Sequence, residues 1–246
     1  MARIELRDAL IYIQDGLSGN ATIDEATPGA NDTDVDISSP VLNTDDTDLV
    51  PVGARFTVST ANNTTEYTVT ARTPADTGPT TNFTFTPAWG TPTPANADTI
   101  TFLPQRIEVK IGEGNVTYTE AKEYEYLLDR GNLDTVREGD QQPMDVSIDF
   151  VYEHVTTGTG EDITVVDALK RQNDASEWVS SSDDLCEPFS VDIVIDHVTP
   201  CGNEENELTT LPDYRYESLE FDLGDATIST SGRCNVVEAS VSRYSS

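Results

Sequence analysis

A two-residue period is the feature that most constrains this fold. Met144, Val146, Ile148, Phe150 and Tyr152 alternate with Asp145, Ser147, Asp149 and Glu153. Successive side chains of a strand point to opposite faces, whereas a helix would scatter these residues around its axis. The same period runs through Ile107, Val109 and Ile111, with Glu108 and Lys110 between them. It returns in Val191, Ile193 and Ile195 against Asp192 and Asp196. From Val116 one parity carries Tyr118, Tyr124, Tyr126 and Leu128. Leu219, Phe221 and Leu223 lead through a Gly224-Asp225 turn into a last strand around Ala226 to Cys234. Antiparallel strands with one dry and one wet face follow from these patterns.

A single segment, Val165 to Arg171, combines helix formers and an apolar stripe with cations at its end that suit the helix dipole. It extends towards Trp178. The expected fold is mainly β: an antiparallel β-sandwich or barrel with one covering α-helix, plus a small inserted β domain. The inserted part is placed at residues 41–104, which are rich in Thr, Pro, Asn and Ala. Short strands are expected there at Arg55 to Val58, Glu66 to Thr70, Asn82 to Thr86 and Thr99 to Leu103. The main domain then comprises residues 1–40 and 105–246. A long decorated loop of one domain is the alternative for 41–104.

Charge excludes whole classes of function. With 45 Asp+Glu against 14 Lys+Arg, the formal net charge is -31. Such a surface repels phosphate and lacks the basic footprint that nucleic-acid binding needs to displace counterions. Solubility or a high-salt habitat also accounts for the acidity, as does a surface that DNA must pass without sticking. No run of 18 apolar residues occurs, so no membrane span is expected. The opening Met-Ala-Arg-Ile-Glu-Leu-Arg-Asp lacks the basic-then-apolar layout of a secretion signal, so synthesis in a cytoplasm is expected.

The soft ligands are Cys186, Cys201, Cys234, His154 and His197, and no Cys-x-x-Cys pair joins them. A strand topology that returns Cys201 and Cys234 to one end near His197 would allow a disulfide or a weak metal site. An unpaired buried thiol and a core histidine, in parity with Val191, Ile193 and Ile195, are the simpler alternatives. Asp32, Asp34 and Asp36 begin like a calcium loop, but Ile37 and Asn43 stand where that loop needs Gly and Glu. Gly112-Glu113-Gly114 and Gly158-Thr159-Gly160 lack the rest of a dinucleotide or phosphate loop. No Gly-x-Ser-x-Gly elbow occurs. Neither an enzyme, a cofactor nor a metal is expected.

Three stretches resemble the tail tube (major tail) proteins of long-tailed bacteriophages: Arg106 to Glu120, Glu125 to Asp140, and Met144 to Phe150. The closing Tyr216 to Gly232 hairpin is similar too. The inserted stretch, with Val52 to Thr57, Tyr67 to Thr70 and Phe85 to Pro87, resembles a short β module of phage virion proteins. The resemblance implies a structural virion protein, made in the host bacterial cytoplasm. Copies of it would close into hexameric rings stacked as a tube, beside a tape measure protein and other tail proteins. An acidic lumen would conduct genomic DNA without specific binding. A phage baseplate, neck or host-surface-binding protein is the alternative, and a carbohydrate-active enzyme a third. The loop from Asp129 to Gln142 carries Arg130, Asp134, Arg137, Glu138 and Asp140. It reads as an arm reaching a neighbouring subunit, mixed charges setting its register, or as a solvated hairpin loop.

Overall fold

A computed structural model describes residues 9–44, 47–60, 64–75, 79–111, 115–151, 163–182, 184, 186–198 and 205–244. In chain order its strands are β1 (Ala9–Gln14), β2 (Gly19–Ile23), β3 (Asp34–Leu42), β4 (Arg55–Val58), β5 (Tyr67–Thr73), β6 (Asn82–Thr86), β7 (Thr99–Leu103) and β8 (Arg106–Glu108). They continue with β9 (Val116–Thr119), β10 (Tyr124–Asp129), β11 (Asn132–Glu138) and β12 (Met144–Val151). After helix α1 (Val165–Lys170) come β13 (Val191–His197), β14 (Asn206–Asp222), β15 (Thr227–Cys234) and β16 (Ser240–Tyr244). The mainly β character and the single short α-helix agree with the sequence.

The strands form three separate units. An eight-stranded sheet runs β8-β1-β13-β14-β15-β12-β9, with β16 added to β14. Six strands close an antiparallel barrel in the order β2-β3-β6-β5-β4-β7. Among the described residues β10 and β11 pair only with each other.

Within the large sheet, β14 changes partners along its 17 residues. Its first half pairs with β13 and β16, and its second half, from Tyr214, pairs with β15. Register shifts at Val191/Ile193 and Tyr216/Ser218 mark the changeover, where bulges bend and twist the strand. Both flanks feed one core. Ile11, Ile13, Val191, Ile193 and Leu211 meet Met144, Val146, Ile148, Phe150 and Ile228 there, with Ala168, Leu169 and Trp178 added from the helical segment. β12 shows the sequence pattern cleanly, its even-numbered residues buried and its odd-numbered ones exposed or half-buried.

The helix stops at Lys170 rather than continuing towards Trp178. Arg171 takes a left-handed backbone, φ 50, and closes the last turn. At the other end Thr164 caps the helix. Its hydroxyl accepts from Asp167 N–H, and the Asp167 carboxylate reaches back to the Thr164 N–H. Burial pushes the Asp167 carboxyl up, but hydrogen bonds from Thr164, Asn173 and Gln172 outweigh it and hold the group below its ordinary value.

The barrel is filled by its own side chains. Phe56, Tyr67, Phe83, Phe85, Trp89 and Phe102 are all buried. Phe56 stacks on Tyr67 at 5.3 Å, and Tyr67 meets Trp89 edge-on at 4.6 Å. Such ring geometries add to the area term. The barrel starts earlier in the chain than residue 41, because β2 and β3 are two of its staves. β3 conceals this. Val35 and Ile37 are buried on one parity, then Pro40 and Leu42 on the other. The switch falls at Ser39, φ 51, where the β2–β3 register slips.

Barrel and sheet meet at a joint built on Asp15, fully buried just after β1. Its carboxylate accepts from the Leu17 N–H at 3.1 Å, the Gln105 N–H at 2.7 Å and the Val179 N–H at 3.2 Å. Three chain segments are thereby tied: the one leaving β1, the one returning from β7, and the one following the helical region. Trp178 packs into the sheet core while its neighbour Val179 packs against the barrel core. Extended chain directs successive side chains to opposite sides, so two residues can serve two cores. Gly16 is required here, since a methyl group on it would overlap the Ser180 carbonyl. Outside the joint, Arg72 grips Glu177 with both guanidinium nitrogens, at 2.7 and 2.9 Å.

Candidate assembly surface

The β10–β11 hairpin is an amphipathic arm whose apolar face has no partner among the described residues. Its turn is Arg130-Gly131, with φ of 50 and 88, the two-residue turn whose twist matches the flanking strands. Register pairs Tyr124 with Glu138, Tyr126 with Val136 and Leu128 with Leu133. Directly opposed residues share a face, so Tyr124, Tyr126, Leu128, Leu133 and Val136 line one side of the arm. Glu125, Thr135 and Arg137 line the other, together with Leu127. The apolar side is uncovered: Leu133 is 72% exposed, Leu128 62%, Tyr126 61% and Val136 54%. Contiguous exposed apolar surface of this kind marks an interaction site. A lone two-stranded ribbon is also marginally stable in water, which adds to the drive for cover.

The base of the arm is held. Gly139 N–H donates to the Glu123 carbonyl, and Lys122 pairs with Glu238 beside β16. Ala239 N–H donates to Glu120 Oε1 at 2.9 Å. The arm therefore leaves the sheet from a fixed root.

The five candidate interface residues fall on or beside this arm, three of them in strand rather than loop. Arg130 occupies the turn, and Asp134, Arg137 and Glu138 lie on β11. Asp140 follows the strand. Segment 129–142 reads as a loop because Leu133 and Val136 are three residues apart, which breaks the two-residue period. A bulge absorbs the extra residue: Leu127 faces Thr135 while Leu128 faces Leu133, leaving Asp134 unpaired. Of the charged residues, Glu138 lies opposite Tyr124 at the root of the apolar face and Arg137 opposite Glu125 on the other side.

A second apolar surface lies at the β14–β15 tip. The period through Leu219, Phe221 and Leu223 is present, yet only Leu219 packs against the sheet core: Phe221 is 48% and Leu223 79% exposed. The sheet also ends in short margins, β8 of three residues and β9 of four. Val241 and Tyr244 on β16 are exposed as well. Unpaired margins are templates for strands of another chain.

The remaining candidates resolve as follows. Cys234 is a free buried thiol of β15, opposite Met144 and Tyr214, and burial pushes it up to about 12. Cys186 is free and exposed. Cys201, His154 and both Gly-rich turns at 112–114 and 158–160 lie outside the described residues. His197 is a buried residue of β13. Among the described residues no group of three or more His, Cys, Asp or Glu side chains is placed to hold a metal ion. No described helix is long and apolar enough to cross a membrane. Two open clefts flank the joint, of about 650 and 490 Å³; Arg72, Arg171 and Glu187 line the first, Gln105, Arg106 and Trp178 the second, and no histidine lines either.

No family model matches this chain, and neither the curated proteins nor the solved structures include a match to it.

Proposed function

We propose that this chain is a structural subunit that assembles with copies of itself, as the tail tube protein of a long-tailed bacteriophage. Copies close into hexameric rings, the rings stack, and the acidic bore conducts viral DNA during ejection. The large sheet is read as a sandwich whose halves face each other across the first core. The barrel is read as a module inserted between β1 and β8. The observation that carries the proposal is the arm, a rooted amphipathic hairpin whose Tyr126, Leu128, Leu133 and Val136 face water. A monomer gains nothing from such a face. Within a ring or between rings it is covered in every copy, and the short sheet margins find strands to pair with. The acidity agrees with passage of DNA, because like charge on a channel wall keeps phosphates from adhering.

Negative-stain microscopy of the purified chain at high concentration tests the proposal. Rings or tubes of constant bore are the expected result. A monomer or trimer that binds host cells would favour a baseplate or host-surface role instead, and a monomer with no such binding would end the assembly reading.

A further inference from the structure

Acidity of this degree has a cost inside a single subunit, independent of any assembly. The 31 uncompensated negative charges lie on a folded surface of 14330 Å², and Lys110, Lys122 and Lys170 are the chain's lysines. The acids also gather. On the barrel rim, Asp24 N–H bonds the Asp36 carbonyl, bringing Asp24 and Glu25 against the start of β3. Asp34 and Asp36 are both exposed on one side of that strand. Burial, then Asp32, Asp34 and Asp36, push the Glu25 carboxyl up. The barrel cations are engaged elsewhere, Arg55 with Glu66 and Arg72 with Glu177. None of the ion pairs among the described residues reaches the rim.

Same-face neighbours on a strand are roughly 7 Å apart. The screening length is about 10 Å at 0.1 M salt and about 3 Å at 1 M. At ordinary ionic strength roughly half of the repulsion between these carboxylates therefore survives screening, and in molar salt it is largely removed. We propose that the folded subunit is adapted to concentrated salt, its compact state depending on dissolved cations to screen the exposed acids of the barrel rim. The ligand is a diffuse cation atmosphere, and no coordinated ion is required.

Thermal unfolding of the full chain, followed by circular dichroism in about 0.1 M and about 2 M KCl, tests this. The expected result is a Tm higher by about 10 °C or more in the concentrated salt. A parallel series in sucrose separates screening from general exclusion of solutes, and there the rise should be much smaller. The variant Glu25→Gln/Asp34→Asn should melt higher than wild type at low salt and gain less from KCl. A Tm that stays level or falls as KCl rises overturns the proposal, as does a rise that sucrose reproduces in full. An unchanged salt response in the double variant overturns the assignment to the rim. The melts are run at a protein concentration where sedimentation shows a single chain in both salts, so these readouts do not depend on the tube reading.

Discussion

The barrel and the arm share one local grammar, short antiparallel strands with a two-residue period, and reach opposite ends. In the barrel, Phe56, Tyr67, Phe83 and Phe102 turn inward from staves that close on themselves, and water is excluded without help. In the arm, Tyr126, Leu128, Leu133 and Val136 occupy the same kind of position, and nothing among the described residues covers them. Periodicity specifies that a face is to be dry. It does not specify what dries it, and the difference between the two regions lies in whether the chain supplies its own cover.

The comparison breaks most visibly at the barrel centre. Phe56→Ala removes a ring that meets Tyr67, Phe83, Phe85, Trp89 and Phe102, and should cost about 3–5 kcal/mol of stability in denaturant unfolding. A loss below about 1 kcal/mol would mean that the barrel is not a closed core.

The joint should respond to pH. Burial raises the Asp15 carboxyl to about 7, against three backbone N–H donors that lower it, with Asp192 adding to the rise. The folded chain therefore holds this proton more tightly than the unfolded chain does. Its contribution is fully present below about pH 4, weakens by up to about 1.4 kcal/mol per pH unit, and levels off above about pH 7. Asp15→Asn removes that dependence. Relative to wild type, the variant should look most damaging near the acid end and least damaging above neutrality. Parallel stability curves for the two proteins across this window would contradict the assignment.

Smaller still is the helix cap. Thr164→Ala breaks the reciprocal bonds with Asp167 and should cost about 1 kcal/mol. Asp167 has the opposite sign to Asp15. Its depressed carboxyl stabilises above its ordinary value, and that contribution is lost as pH falls through the acid range. The Thr164→Ala deficit should accordingly shrink in acid, which unfolding at two pH values would detect.

Much of this was legible beforehand, and the gaps have physical causes. The strands at 144–151 and 191–197, the 216–232 hairpin and the helix at 165–170 follow from period and composition, since each carries its pattern within a few consecutive residues. The start of the barrel was hidden because β2, Gly-Asn-Ala-Thr-Ile, is short and polar, and the Ser39 register slip swaps the parity of β3 midway. The second arm strand was hidden by the Asp134 bulge. Asp15 was not singled out at all. Its role depends on donors at Gln105 and Val179, 90 and 164 residues away, and no spacing rule reaches that far. As for the candidate surface, the β10 half of its apolar face, Tyr124, Tyr126 and Leu128, was legible as one parity, and the β11 half, Leu133 and Val136, was not, because the faces of a bulged ribbon emerge only from the register.

The smallest expected effect on the subunit is also the most informative. Tyr126→Ser/Leu133→Ser should leave subunit stability within about 0.5 kcal/mol of wild type, since both side chains are already in water. Sedimentation velocity of wild type and this variant, over a concentration series in concentrated salt, tests the central claim directly. Wild type should form large assemblies of defined size, and the variant should remain a folded single chain. A wild type that stays monomeric throughout, or a variant that assembles equally well, would contradict it.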